Sequence, residues 1–588
     1  MRARLFKTAS KCLIIGVSVL AFAAGADAAT YINLYGSSSQ FNFWTHYAPS
    51  FLKTLGCAVA STNSFSTADG KSTVTIGTSC TGIPSGDAHN GPNGNTGGAG
   101  DEPNAIYFSY SSNESWDGIS AVIGQYSASN SGGAANPCSS NFERPVATCP
   151  DDACTGFLTN NAPYVCQTID IGTSDVEVSA IIQTSTGTLF GPLDPGTATI
   201  TRGFTHAKAL NVSGLPASGY YTTLPSYSVK NPEQPIAYPF SFYVNPPNAA
   251  TGSTGVVANQ CASGSPLYAG FVCADDRNCG SYVATSYCDY TLLCQNGSPD
   301  NAGSPCLAES DCGGVDGATT YCSAGPEQLC SASSPSNAGS ACTQETNCGG
   351  TNPTYTYCKQ AQPLTNLTRL QAVALFSGTI KDWSEFGAAF PAHPVTLCLQ
   401  HAGSGASATL DWGVMNGNGW GKHIYGFAEN RASTGTPPYI YFNDGTSDLK
   451  NCMNWANGAS FSGADTLASG EIGGAVGYMD SDNPNTANYV QVAYNSMFAS
   501  RVAMHDGIYD DFWTINRMYV PYGLPEQVVD IYAAMLKTLK NPANISDANL
   551  GAPRGQYYGT AGELNFPKAT SPTYPSAYSA STTPATPN

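Results

Sequence analysis

Four short segments carry the groups best suited to hold an anion: Gly36-Ser37-Ser38-Ser39, Ser111-Ser112-Asn113, Gly172-Thr173-Ser174-Asp175 and Gly403-Ser404-Gly405. All are built from glycine and small polar residues, so backbone N–H groups are open to a ligand and hydroxyls add donors without charge. Where such a loop opens a helix, the first N–H groups lack a partner within the helix and the positive end of its dipole faces the same way. Asp175 is the exception among these donors. A carboxylate only accepts hydrogen bonds. The same residues have plainer uses: serine at a helix start is first a cap, Ser111 with Glu114 fits a capping box, and Asp175 can close a turn.

Such loops need strands to end on and helices to begin. TYINLY, AIYFSY, IDI, FSFYVN, VTLCL and GGAVGYM read as short buried strands. FNFWTHYA, SWDGISAVIG, NLTRLQAVALF, SATLDWGVM and PEQVVDIYAAMLKTLK read as helices. In the last of these Pro525 opens the helix, and Val528, Tyr532, Met535, Leu536 and Leu539 mark one apolar face. Strands alternating with helices predict an α/β architecture.

In order along the chain, these segments resemble the phosphate-type periplasmic solute-binding proteins, of the type II periplasmic-binding-protein fold. YGSSSQFNFW is similar to that family's first anion loop, YSSNESWDGI to its second, and DIGTSDVEVS to its strand ending in Ser-Asp. LTNLTRLQAVALFSGTIKDWSEFG resembles the opening of the second lobe, LCLQHAGSGASATLD its anion loop, and GGAVGYMD its later Gly-rich strand. The resemblance implies two hinged lobes with Ser37, Ser38, Ser39, Ser111, Ser112, Ser174 and Asp175 facing the ligand from the first. Gln400, His401, Ser404 and Gly405 would face it from the second. It also implies a small oxyanion, phosphate-like, as ligand and an ABC permease as partner, with no catalytic residue, metal or cofactor. FSFYVNPP is the candidate for a strand crossing near the hinge.

Departures from that pattern bear on the ligand. Gln400 stands where the family has arginine, and Ala406 where it has threonine after Ser-Gly. Arginine would give bidentate, charge-assisted bonds, about twice as strong as neutral ones. His401 can substitute only when protonated, and an imidazole with a pKa of about 6.5 is mostly neutral at pH 7.

The start of the chain, MRARLFKTASK followed by CLIIGVSVLAFAAG and Ala26-Asp27-Ala28, has the layout of a cleaved signal peptide over 1–28. Cys12 lies inside the apolar run, not after a lipobox. The expectation is a soluble periplasmic or extracellular protein with no membrane span after cleavage. Loss of four basic residues and one acid moves the formal charge from -18 to -21, which argues against nucleic acid and anionic membranes as partners. Of 21 cysteines, twenty remain after cleavage, an even number as expected of disulfides in an exported chain.

Twelve of those cysteines form an internal repeat. Cys261, Cys273, Cys279 and Cys288 are matched by Cys294, Cys306, Cys312 and Cys322, then by Cys330, Cys342, Cys348 and Cys358. These units have few large apolar residues, so cross-links must hold them, each worth roughly 2 to 4 kcal/mol. The others fall as Cys57 with Cys80, then Cys138, Cys149, Cys154 and Cys166, then Cys398 with Cys452; spacing alone leaves their pairing open.

The expected organisation is lobe 1 over 29–245, a disulfide-rich, loop-dominated insert over 246–362, lobe 2 over 363–495, a return to lobe 1 over 496–566 and a disordered tail over 567–588. Two other functions compete with solute capture. A surface or adhesion protein would use the insert to hold a surface partner. A hydrolase would use Ser404 with His401, although GSG around Ser404 is not a GxSxG elbow.

Overall fold

The computed structural model describes residues 29–60, 64–67, 71–82, 105–124, 138–147, 164–176, 232–245, 364, 366–386, 394–400, 404–415, 437–443, 445–456, 474–486, 488–509, 511–551 and 554–565, with short strands inside 205–206 and 259–360. The signal segment, the tail, Cys149, Cys154 and His401 lie outside them.

Two mixed sheets with flanking helices make an α/β protein of two lobes. The first sheet has the order β2-β3-β4-β1-β7-β24, from β1 (Thr30–Ser37), β2 (Ser64–Ser66), β3 (Ser72–Thr78), β4 (Ala105–Asn113), β7 (Ile171–Ser174) and β24 (Arg517–Tyr519). β1 runs parallel to β4 and β7, so three chain segments point the same way and end at one edge. α1 (Phe41–Thr54) follows β1 and α2 (Ser115–Val122) follows β4. Phe43, Trp44, Tyr47, Phe51 and Leu52 bury one face of α1 against this sheet. A side hairpin of β5 (Glu143–Ala147) and β6 (Tyr164–Thr168) is closed by the Cys138–Cys166 disulfide, and Cys57–Cys80 ties the end of α1 to β3.

Gly118 on α2 is required by a close approach. A Cβ there would lie 2.4 Å from the Thr173 carbonyl oxygen and 2.7 Å from that of Tyr35, so only glycine lets α2 rest on β1 and β7.

The second sheet has the order β18-β22-β9-β21-β19-β20-β8, from β8 (Thr205–His206), β9 (Ile236–Val244), β18 (Asn366–Leu367), β19 (Thr396–Gln400), β20 (Tyr439–Asn443), β21 (Ala475–Asp480) and β22 (Val490–Tyr494). β19 is parallel to β20 and β21, so these three also end together. α3 (Arg369–Phe376) is opened by a capping box of Thr368 and Gln371. α4 (Gly405–Thr409) follows β19 and loosens into a π turn over Leu410–Val414, so SATLDWGVM is not one regular helix. α5 (Thr446–Ala456) follows β20 and is pinned to β19 by Cys398–Cys452.

β9 belongs to both halves. Phe240–Val244 pair with β21 and β22, while the preceding residues pair with β23 (Trp513–Ile515) and β25 (Gly559–Thr560). β23 leads directly into β24 of the first sheet. α6 (Arg501–His505) packs on β9, α7 (Glu526–Leu539) on β1 and α8 (Asp547–Leu550) on α1. On α7 the apolar face is Val528, Ile531, Tyr532, Met535 and Leu539, with Pro525 as N-cap residue and Leu536 partly buried.

Among the described strands, those of the repeat pair only with one another: β10 (Asn259–Cys261) with β11 (Val272–Cys273) and β12 (Cys288–Tyr290), β13 (Leu292–Cys294) with β14 (Pro305–Cys306) and β15 (Cys322–Ser323), and β16 (Gln328–Cys330) with β17 (Cys358–Gln360). In every unit the first cysteine position stands opposite the last in antiparallel register: Cys261 with Cys288, Cys294 with Cys322, Cys330 with Cys358.

Candidate functional site

Six parallel strands, three from each sheet, deliver their carboxyl ends to the junction between the lobes. They end at Ser37, Asn113 and Ser174 on one side and at Gln400, Asn443 and Asp480 on the other. Backbone groups left unpaired at strand ends, with helices starting just beyond, make this edge of an α/β sheet its usual binding face.

Asp175 is the hub of the first lobe. Its carboxylate accepts hydrogen bonds from the hydroxyls of Ser37 and Tyr238, from Ser39 Oγ at 3.1 Å and from Gln40 Nε2 at 3.4 Å. Its own N–H donates to Ser115 Oγ at 3.0 Å, and Thr514 Oγ1 donates to its carbonyl. Asp175 is 1 % exposed. Burial raises its carboxyl above the usual range, and the bonds from Ser37, Tyr238, Gln40 and Ser39 offset part of that rise by favouring the anion. The donor loop Ser37–Gln40 thus solvates a negative group supplied by the protein itself.

Gly405 reaches this hub from the second lobe. A Cβ added to it would lie 2.6 Å from Asp175 Cβ and 2.3 Å from Ser115 Oγ. Ser404 caps α4, accepting the Ser407 N–H at 3.2 Å, and donates to Gln400 Oε1. Tyr478 OH lies against Ser407 Oγ and accepts the Gln400 N–H at 3.1 Å.

A second crossing point joins Ser38 to Thr446, the first residue of α5. Ser38 Oγ accepts the Thr446 N–H at 3.3 Å and lies 3.4 Å from Thr446 Oγ1. Thr446 Oγ1 in turn accepts from Gln400 Nε2 at 3.5 Å and donates to Asp480 Oδ1 at 3.1 Å. Beside it Lys71 Nζ pairs with Asp448 at 3.0 Å, again across the lobes.

Of the residues expected from sequence, Ser37, Ser38, Ser39, Asp175, Gln400, Ser404 and Gly405 are brought together at this junction. Ser174 turns away, donating to the Val176 carbonyl at 2.6 Å. Ser111 and Ser112 belong to β4, not to a loop, and face β3: Ser72 donates to Ser111 Oγ at 3.0 Å and Ser112 Oγ to the Lys71 carbonyl at 2.9 Å. The capping box expected of Ser111 and Glu114 is therefore absent. Glu114 itself is the N-cap residue of α2 and makes no side-chain cap bond, because the strand carries Ser111 past the turn.

Thr446, Asp480 and Tyr238 were missed. The signal for Thr446 was present in YIYFNDGTSDLKNCM, where a β-branched and aromatic run meets Asn-Asp-Gly-Thr and then a helical pattern. Asp480 sits in a buried strand with Asp482 two residues on; burial and the Asp482 charge hold its carboxyl well above the usual range.

No family model and no curated relative matches the sequence. Among solved structures, the chain is similar to a putative phosphate ABC transporter substrate-binding protein with bound phosphate from Clostridium perfringens, at 15% identity and a TM-score of 0.23, over 33% of this chain and 63% of that one. An ABC-type phosphate transport receptor from Vibrio cholerae matches at 16% identity and a TM-score of 0.21, over 32% and 64%. A phosphate-binding protein from Stenotrophomonas maltophilia matches at 13% identity and a TM-score of 0.22, over 30% and 56%. The chain spans less than two thirds of the length of each of these proteins. Among the described residues, no helix is long and apolar enough to cross a membrane.

Proposed function

We propose that the chain is an exported solute-binding protein that closes two hinged lobes over a small, phosphate-like oxyanion. One observation carries this: donors at the carboxyl end of β1, Ser37, Ser39 and Gln40, converge with Tyr238 on a single negative group, the Asp175 carboxylate, against which Gly405 of the second lobe packs. A place that satisfies a buried carboxylate with four donors has the chemistry to satisfy a bound oxyanion. Because Asp175 remains as an acceptor, the ligand must bring a proton or Asp175 must take one.

Binding without catalysis fits the same geometry. Ser404 Oγ is bonded to Gln400, an amide that cannot accept its proton as a base would. A permease partner and a periplasmic or extracellular location follow from this proposal.

Isothermal titration of the mature protein with inorganic phosphate, alone and with Ser38→Ala and Ser404→Ala combined, tests it. Wild type should bind and the double variant should lose at least tenfold; equal affinity in a folded double variant would overturn the site.

A second reading, a surface protein keeping the fold without transport, is favoured by the engagement of Ser37 and Ser39 with Asp175 and by the separately paired insert. Absence of any oxyanion binding, together with attachment to a surface partner that is lost on deleting 246–362, would select it.

A further inference from the structure

We infer that the cleft has a second, cation-accepting pole at Asp480 and Asp482, so that its solute is a small zwitterion carrying an oxyanion at one end and an ammonium group at the other. This rests on the oxyanion reading above and adds the other half of the ligand.

Placement comes first. Asp480 is the last residue of β21, at the same strand-end edge as Gln400 and Asn443. Its Oδ1 accepts from Thr446 Oγ1 at 3.1 Å, and Thr446 touches Ser38 of the opposite lobe. One hydroxyl therefore separates this carboxylate from the meeting point of the lobes.

Charge and bonding come next. Asp480 is 2 % exposed and Asp482 1 %. Against these two carboxylates the near cation is Arg554, which forms an ion pair with Asp482, Nε to Oδ2 3.6 Å, and whose Nε makes no hydrogen bond among the described residues; Lys450 on α5 also acts on Asp480. Neither Asp482 oxygen has a hydrogen-bond donor among the described residues. Two further buried acceptors, Oδ1 of Asn443 and Oδ1 of Asn483, are likewise unsatisfied among the described residues. Asn443 stands opposite Gln400 in the β19–β20 register, and Asn483 follows Asp482 directly. Buried acceptors without donors are costly, more so when charged.

The surplus is one-sided. At the Asp175 end four donors surround one carboxylate, whereas at the Asp480 end acceptors outnumber donors. An ammonium group supplies three donors and a positive charge. It would stabilise the ionised form of Asp480, which burial and the Asp482 charge otherwise disfavour. Inorganic phosphate, mostly acceptors, matches the first end alone.

The test is calorimetric titration of the mature full chain with inorganic phosphate, 2-aminoethyl phosphate and ethanolamine, repeated on Asp480→Asn with folding checked by circular dichroism. The expected result is 2-aminoethyl phosphate bound at least tenfold tighter than phosphate, with the two within twofold in Asp480→Asn. Equal affinity in wild type, or an unchanged preference in the variant, overturns the second pole and leaves the oxyanion reading standing. Ethanolamine bound while phosphate is not would keep the pole and overturn the oxyanion reading; binding of none of the three overturns both. Should Asp480→Asn not fold, the wild-type preference is followed with pH, and it must fall towards one in acid as Asp480 is neutralised; a constant preference counts against the pole.

Discussion

Gly405 of the second lobe and Asp175 of the first lie so close that a single methyl group will not fit between them: a Cβ on Gly405 would stand 2.7 Å from Asp175 Oδ2. This approach of the two segments therefore depends on the absence of a side chain at that position.

Gly405→Ala should hold the lobes apart. Small-angle scattering should show a larger radius of gyration than wild type, and phosphate affinity should fall at least tenfold. An unchanged radius and affinity would show that Ser115 and Asp175 simply move aside.

Lys71 and Asp448 form an ion pair between the lobes, at 3.0 Å and partly exposed. Pairs of this kind contribute about 0.2 to 1 kcal/mol and are screened by salt. Lys71→Gln should weaken ligand affinity by less than about fivefold at low ionic strength, and the difference should vanish in concentrated salt. A large, salt-independent loss would instead point to direct contact with the ligand.

Asp411, in the π turn after α4, is fully buried, and burial pushes its carboxyl up to about 8. A raised folded-state value means that the neutral form is favoured on folding. The stability it brings is complete below the unfolded value near 4 and is lost as pH rises through about 8, by up to roughly 1.4 kcal/mol per pH unit. Asp411→Asn should raise the melting temperature at pH 8 relative to wild type and change it little at pH 4. Parallel melting curves across that range would disprove it.

Cys398–Cys452 spans 54 residues and fixes α5, with Thr446 at its start, to β19. Replacing both cysteines by alanine should cost roughly 2 to 4 kcal/mol, read as a lower urea midpoint. Reduction of wild type should reproduce the shift; no shift in either would mean that packing alone holds the two elements.

Much of the scaffold was legible because its strands are buried on both faces and read as largely apolar runs: Ile236–Val244 and Ala475–Asp480 are buried throughout, whereas IDI was expected as a strand and only Ile171 of it enters β7, which runs on through Gly172, Thr173 and Ser174. The loop Gly36–Ser39 was legible from composition. Ser111 and Ser112 misled because their serines look like a loop, whereas pairing with β3 carries them into β4. Thr446 could be found as a helix start, but its contacts could not. They join segments far apart in the chain, Ser38 with Thr446 across 408 residues and Thr446 with Asp480 across 34, and no local pattern reports them.

The register of the repeat has a consequence for how this chain tolerates change in length. In each unit the first and last cysteine positions face each other across a strand pair, so the chain leaves a unit about one strand spacing from where it entered. Removing one whole unit should therefore shorten the chain, as one bead leaves a thread, while the strands that surround Asp175 stay as they are.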